Sequence, residues 1–329
     1  MIWSTFAGSN DEWDSVILHL NATSPFATSG WARFKGVSRW TVLRGIREEE
    51  GRVVSAVQVF WVNILGLATI AWVPGGVIGS LDSASSELLR FISSNSKKRI
   101  VYCRVSLHCP DDRSSASTLS ENDWVRTHRY IGARETFVLT RAKEKLADRS
   151  ILSSNWRRNL DRGLKHGQQT SIWKNPNPEE IHILFQQMVD FKRSFGPSEI
   201  PSIDYLSSLI ESIGDELVVV QTRDHTGQLL AIRAAIRTGK FAWDTLAASN
   251  ELARKNYSSY VCAWHLIEVL DGLEVQQYDL AGVDPVHNTG VFNFKKGIGG
   301  QLVHYLGEWD IATNGPTRLI ARALISRLM

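Results

Sequence analysis

From residue 53 to residue 72 the chain carries no charge for twenty positions. This run limits the folds open to it. Its length is enough for a helix to cross a bilayer. Yet Gln58, Asn63 and Gly66 interrupt it, and β-branched and aromatic residues dominate it. That pattern reads as two buried strands joined at a turn over 63–66 rather than one membrane helix. The first half is therefore expected to be built on a sheet. With 329 residues, the chain also exceeds one ordinary core, so two domains are expected.

The rest of the pattern alternates helices and strands. Apolar spacing predicts helices at 9–20, 83–94, 177–194, 202–213, 263–270 and 317–328. Strands are expected at 40–45, 99–107, 135–140, 216–222, 229–237 and 240–247, with 135–140 ending the first half. The Ser-, Asp- and Thr-rich stretch 111–122 reads as a loop.

Composition excludes little. A formal charge of +3 is too small for bulk nucleic-acid binding, so local clusters carry the argument. Three cysteines, Cys103, Cys109 and Cys262, include no Cys-x-x-Cys pair and leave an odd number. They read as reduced and mostly buried. The N-terminus lacks a basic stretch followed by an apolar one. Both readings point to a cytoplasmic protein.

Residues 150–167 hold a more specific pattern. Leu152, Trp156, Leu160 and Leu164 recur every four residues as an apolar stripe. Arg158, Arg162 and Lys165 share a second face with Arg157 beside it, and Gly167 suits a helix end. A basic face of this kind fits a phosphate-rich partner such as a tRNA backbone. It fits a solvated helix surface equally well.

The densest chemistry lies near the end. Tyr278-Asp279-Leu280-Ala281-Gly282-Val283-Asp284-Pro285 is followed by Gly290-Val291-Phe292-Asn293-Phe294-Lys295-Lys296-Gly297-Ile298-Gly299-Gly300, then by Gly307-Glu308-Trp309-Asp310. Lysine ammonium groups beside open backbone N–H donors suit a phosphate or a developing oxyanion. A plain glycine-rich turn is the alternative.

The order of these pieces resembles the Fem family of peptidoglycan-bridge aminoacyl transferases. Its members carry Tyr-Asp-x-x-Gly-(Val/Ile), then Gly-(Val/Leu)-x-x-Phe-Lys-(Lys/Arg)-Gly-(Phe/Ile)-Gly-Gly, and a Gly-Glu-Trp-Asp-like strand. Ile298 stands where an aromatic is commoner. Trp31, Phe34 and Lys35 match the family's Gln-Ser-x-x-Trp-x-x-Phe-Lys pattern without its glutamine, and the basic helix has its counterpart too. The resemblance implies a mixed α/β fold with two GNAT-like acyltransferase units in tandem. Residues 1–145 with 312–329 would form the first unit and 146–311 the second, the last helix returning to the first.

The implied reaction is attack of an amine on an activated acyl carbon to form an amide, with the acceptor a cell-envelope precursor or amino sugar. By resemblance, Lys295 steadies the acyl carbonyl or the tRNA end, with Lys296 in reserve and Gly297 and Gly299 supplying backbone donors. Trp243 contacts the acceptor, and Asp244 is the candidate base. Lys35, Trp31 and Arg193 face the acceptor and its phosphates, while Arg158, Arg162 and Lys165 meet tRNA. Neither a metal nor a resident cofactor is implied. The donor is aminoacyl-tRNA or, in second place, acyl-CoA, because 253–260 lacks the glycines of a pyrophosphate loop and carries Tyr257 and Tyr260. The implied partners are a nucleotide- or lipid-linked sugar or peptide and tRNA, without a transmembrane segment but with room for peripheral membrane contact. An acyl-CoA-dependent enzyme of polysaccharide biosynthesis and a non-catalytic scaffold remain the other two readings.

Overall fold

The computed structural model describes residues 2–36, 39–80, 85–128, 130–142, 145–191 and 200–328. Two compact units emerge, residues 1–134 with 303–329 and residues 135–302.

In the first unit, β1 (Ser4–Thr5) and α1 (Asn10–His19) precede α2 (Ser29–Gly36) and the meander β2 (Thr41–Glu49), β3 (Arg52–Ile64) and β4 (Ala68–Val73). Then come β5 (Val77–Gly79), α3 (Ser85–Ser96), β6 (Ile100–Pro110), α4 (Arg113–Glu121) and β7 (Val125–Arg126). The uncharged run is thus a hairpin. Its turn places Leu65 and Gly66 at φ 50° and 69°, the left-handed pair that suits a two-residue connection. Among the described residues no helix is long and apolar enough to cross a membrane. The stretch read as a loop at 111–122 is mostly helix α4. Asp112 starts it by accepting from Ser115 N at 2.8 Å, a cap whose residue type also favours loops.

The second unit holds β8 (Glu135–Thr140), α5 (Ser154–Leu164), β9 (Gln169–Ile172), α6 (Pro178–Phe191) and α7 (Ile203–Ile213). The meander β10 (Leu217–Arg223), β11 (Leu229–Thr238) and β12 (Phe241–Ser249) follows, then α8 (Glu251–Lys255), α9 (Ser258–Gly272), β13 (Gln277–Gly282) and α10 (Thr289–Gly297). Strand β14 (Gln301–Ala312) and helix α11 (Gly315–Leu328) complete the chain. Strand β8 was expected to end the first half. It pairs instead with β13, so its backbone belongs to the second unit's sheet. This moves the division from 145 to 134, and the return point from 311 to 302.

Each unit repeats one topology. Three antiparallel strands (β2-β3-β4 or β10-β11-β12) lead through helix to a fourth that lies parallel to the third, β6 beside β4 and β13 beside β12. A further strand then pairs antiparallel, β14 with β6 and β8 with β13. Each unit has its own apolar core. One centres on Leu88, Ile92, Val101 and Trp309, the other on Trp156, Leu160, Trp264 and Leu280. Leu164, the last member of the predicted α5 stripe, is exposed because the helix ends there.

An ionic knot secures α11 to the first unit. Asp310 of β14 is fully buried. It accepts from the Tyr102 hydroxyl at 3.2 Å and from Arg322 of α11, and Arg318 Nε lies 3.2 Å away. Removing one member of a buried pair strands the others. Asp310→Ala is therefore expected to lower unfolding free energy by about 3 kcal/mol, read by urea denaturation.

Candidate active site

The parallel pair of the second unit does not run its full length. Strand β12 pairs with β13 only from Phe241 to Trp243, yet continues to Ser249. In the first unit β4 is paired with β6 along its whole length. Where β12 has parted from β13, Asp244, Thr245, Ala247, Ala248 and Ser249 line a cleft of about 970 Å³. The starts of α5 and α9, one side of α10, and residues of α6, α8, β11 and the end of β13 form the rest of its wall.

At the fork sits a buried charge cluster. Arg233 of β11 grips Asp244 through both carboxylate oxygens, at 2.9 and 2.8 Å. Tyr278 of β13 donates to Asp244 at 2.7 Å. Burial raises the Tyr278 hydroxyl well above its ordinary value, and Asp244 adds to that, so it remains a donor. Burial works against the Arg233 charge, but Asp244 and Tyr278 outweigh it and hold the guanidinium above its usual pKa. Asp244 was expected as a base. Its three donors make it the anchor of Arg233 instead.

Lys295 projects from α10 into the same cleft, 7% exposed. Its Nζ donates to the carbonyls of Ala281 and Gly282 at 3.2 and 3.0 Å. Those carbonyls are presented by a break in β13. Ala281 has φ 58°, and its N–H turns back to Asp279 at 2.8 Å. A lysine ammonium has three N–H donors, so one is left for a ligand. Burial lowers the Lys295 pKa, Arg233 lowers it further, and Asp244 and Asp279 oppose that shift.

The motif folds as a helix rather than a turn, started by Asn288, whose side chain accepts from Val291 N. Gly297 and Gly299 do not line the cleft. A Cβ on Gly297 would meet Trp156 at 2.8 Å, and one on Gly299, at φ 94°, would meet the Ile151 carbonyl at 2.3 Å. The Gly299 N–H is already given to Lys296 O. Both positions serve close packing, correcting the expected role as backbone donors. Lys296 is exposed over the Phe292 ring and does not line the cleft. Trp243 is likewise off the cleft, the last residue of β12 still paired with β13 before the fork opens.

Aromatic rings form one side. Tyr260 lies 5.1 Å from both Trp156 and Phe294, and the Arg233 guanidinium stands 5.4 Å from the Phe294 ring. Arg162 of α5 donates to the Tyr257 hydroxyl at 3.1 Å and stacks on its ring. Tyr257 lines the cleft, while Arg158, Arg162 and Lys165, with Arg157, border a recess of about 410 Å³ on α5. The basic face therefore reaches the cleft edge through one stacked pair. His287 also lines the cleft, its Nδ1 2.9 Å from Asp284.

Lys35 and Trp31 belong to the first unit. The Lys35 ammonium lies 5.7, 5.5 and 6.0 Å from the rings of Trp31, Phe34 and Trp72, and burial lowers its pKa. Arg193 lies outside the described residues. Among the described residues no cluster of His, Cys, Asp and Glu is placed to hold a metal ion. Arg233 and His287 were missed. The signal for Arg233 was available, a single charge inside Leu229-Leu-Ala-Ile-Arg-Ala-Ala-Ile.

The charge balance is testable. Asp244 raises the Lys295 pKa, so Asp244→Asn is expected to move the Lys295 titration to lower pH. This can be followed by NMR of the labelled ammonium. An unchanged titration would separate the two groups.

The FemAB family model matches residues 204–324, a span that holds the fork, Lys295 and the closing strand. No curated protein matches the chain by sequence. Among solved structures, FemX superposes with a TM-score of 0.83 at 14% identity, over 97% of this chain and 100% of that one. L-PGS from Bacillus licheniformis gives 0.58 at 12% identity, over 97% and 96%. A tandem GNAT protein from the clavulanic acid biosynthesis pathway gives 0.55 at 14%, over 95% and 98%. The chain has the tandem GNAT-like fold shared with FemX, and residues 204–324 within it match the FemAB family model.

Proposed function

We propose that this protein is an acyltransferase that forms an amide on an amine of a cell-envelope component, with an aminoacyl group carried on tRNA as donor. The carrying observation is the cleft with Lys295 and the Arg233–Asp244 pair at its fork. Lys295 and Arg233 are cations that line the cleft, and the remaining Lys295 N–H is available to a developing oxyanion. The acceptor nitrogen bonds to the acyl carbon, and the carbonyl electrons move onto oxygen, facing those cations. Collapse of that intermediate breaks the ester C–O bond, releasing the ribose hydroxyl, which takes up a proton.

His287 is the proposed base for the amine proton. A carboxylate at Nδ1 fixes the tautomer that leaves the Nε2 lone pair available. The basic edge of α5 and the Arg162–Tyr257 stack favour tRNA, since phosphates need cations and terminal bases stack on aromatic rings. The FemAB family match points the same way, and it supports a nucleotide- or lipid-linked sugar or peptide as acceptor. Lys35 and Trp31 are proposed to meet that acceptor. Acyl-CoA is the second reading. It is favoured by the start of α9, which lines the cleft without a side-chain cap and can receive a pyrophosphate.

Transfer assays with charged tRNA and with acyl-CoA decide between the donors; turnover with acyl-CoA alone would overturn the tRNA reading. Lys295→Ala is expected to lower kcat about 100-fold, and His287→Gln to lower it by a similar factor. Arg158→Glu with Arg162→Glu should raise KM for tRNA and flatten its salt dependence while leaving kcat intact.

A further inference from the structure

One end of the first unit's sheet is unlike the rest of that unit's surface. The β3–β4 turn carries Leu65 and Leu67, 90% and 70% exposed. Leu65 also sits at φ 50°, a conformation that costs a branched side chain energy and that Asn or Gly would adopt more readily. Nothing in the hairpin rewards leucine there.

The sheet's pairing brings more of the same chemistry to this end. Ala68 pairs with Ile100, placing the start of β6 beside the turn, and Ile100 is 41% exposed. Just before it come Lys97, Lys98 and Arg99, of which Lys97 and Arg99 are exposed. Thr41 pairs with Trp61, bringing exposed Arg39 to the same end. On the other side Thr313 N bonds to Val101 O, and α11 starts there with Leu319 and Ile320 exposed at 72% and 63%. No aspartate or glutamate occurs in 39–41, 63–68, 97–101 or 313–320. Exposed leucines beside exposed lysine and arginine side chains match the layering of an anionic bilayer, apolar interior beneath negative headgroups.

We propose that this end of the sheet docks on an anionic lipid surface, Leu65 and Leu67 entering below the headgroups and Lys97, Lys98 and Arg99 resting among them. This goes beyond the transfer reading and uses none of its residues. Docking there would hold the protein where a lipid-linked acceptor is concentrated.

The test is co-sedimentation with vesicles of phosphatidylcholine alone and of phosphatidylcholine with phosphatidylglycerol. Binding is expected only to the second, and it should weaken as salt rises. L65S/L67S should weaken it at least about tenfold, and K97Q/R99Q about fivefold for each charge, with thermal melting of both variants unchanged. Equal recovery with both vesicle types, or undiminished binding by L65S/L67S, would overturn the proposal. So would a wild-type dimer in solution that L65S/L67S dissolves without any vesicle binding, which would assign the surface to a second copy of the chain. No acyl donor enters the assay, so its outcome stands apart from that of the transfer experiments.

Discussion

The Arg233–Asp244–Tyr278 cluster is the constraint on which the second unit's site depends. Its three members come from β11, β12 and β13, the strands that meet at the fork. Burying such charges is costly unless each is paired, and here the pairing crosses the place where backbone pairing between β12 and β13 stops. The side chains thus close the sheet at the point where its hydrogen bonds end. Lys295 arrives on α10, whose position is set by the close approach of Gly297 to Trp156 and of Gly299 to Ile151. A helix carrying larger residues there would stand off, and the ammonium would lose its two carbonyls.

The first unit uses related parts differently. Tyr102 occupies β6, the counterpart of β13, and its hydroxyl also serves an aspartate, Asp310. There the arginines come from Arg104 nearby and from α11. The β4–β6 pair stays closed, and the polar network fastens a helix. The same topology therefore yields an open cleft in one unit and a docking point for the chain's end in the other. The difference lies in how far the parallel pair runs and in what occupies its mouth.

Much of this was legible in the sequence. The hairpin at 63–66 follows from uncharged strands meeting at a turn, and Lys295 from its place in a motif. What failed has physical causes. Helix α4 is rich in Ser and Thr, which suit caps and loops as well as helices. The glycines after Lys295 looked like a turn because spacing does not tell a glycine needed for packing from one needed for a ligand. Trp243 and Lys296 each adjoin a residue of the cleft, but Trp243 is still inside the β12–β13 pair, and one step along α10 turns the Lys296 side chain away. Strand β8 was expected in the first unit because its pairing partner β13 lies far away in sequence. Arg233 was visible as a charge in an apolar strand, but its partner Asp244 lies eleven residues on, in a different strand.

The carbonyl seat of Lys295 has a further consequence. An ammonium held by a carboxylate spends its field on that partner. One held by neutral dipoles, as by Ala281 and Gly282, is fixed in place while keeping its charge. The left-handed residue at Ala281 is what turns two successive carbonyls to one cation. The backbone there acts as a dry hydration shell, rigid where water would be mobile, and the positive charge stays directed at whatever enters the cleft.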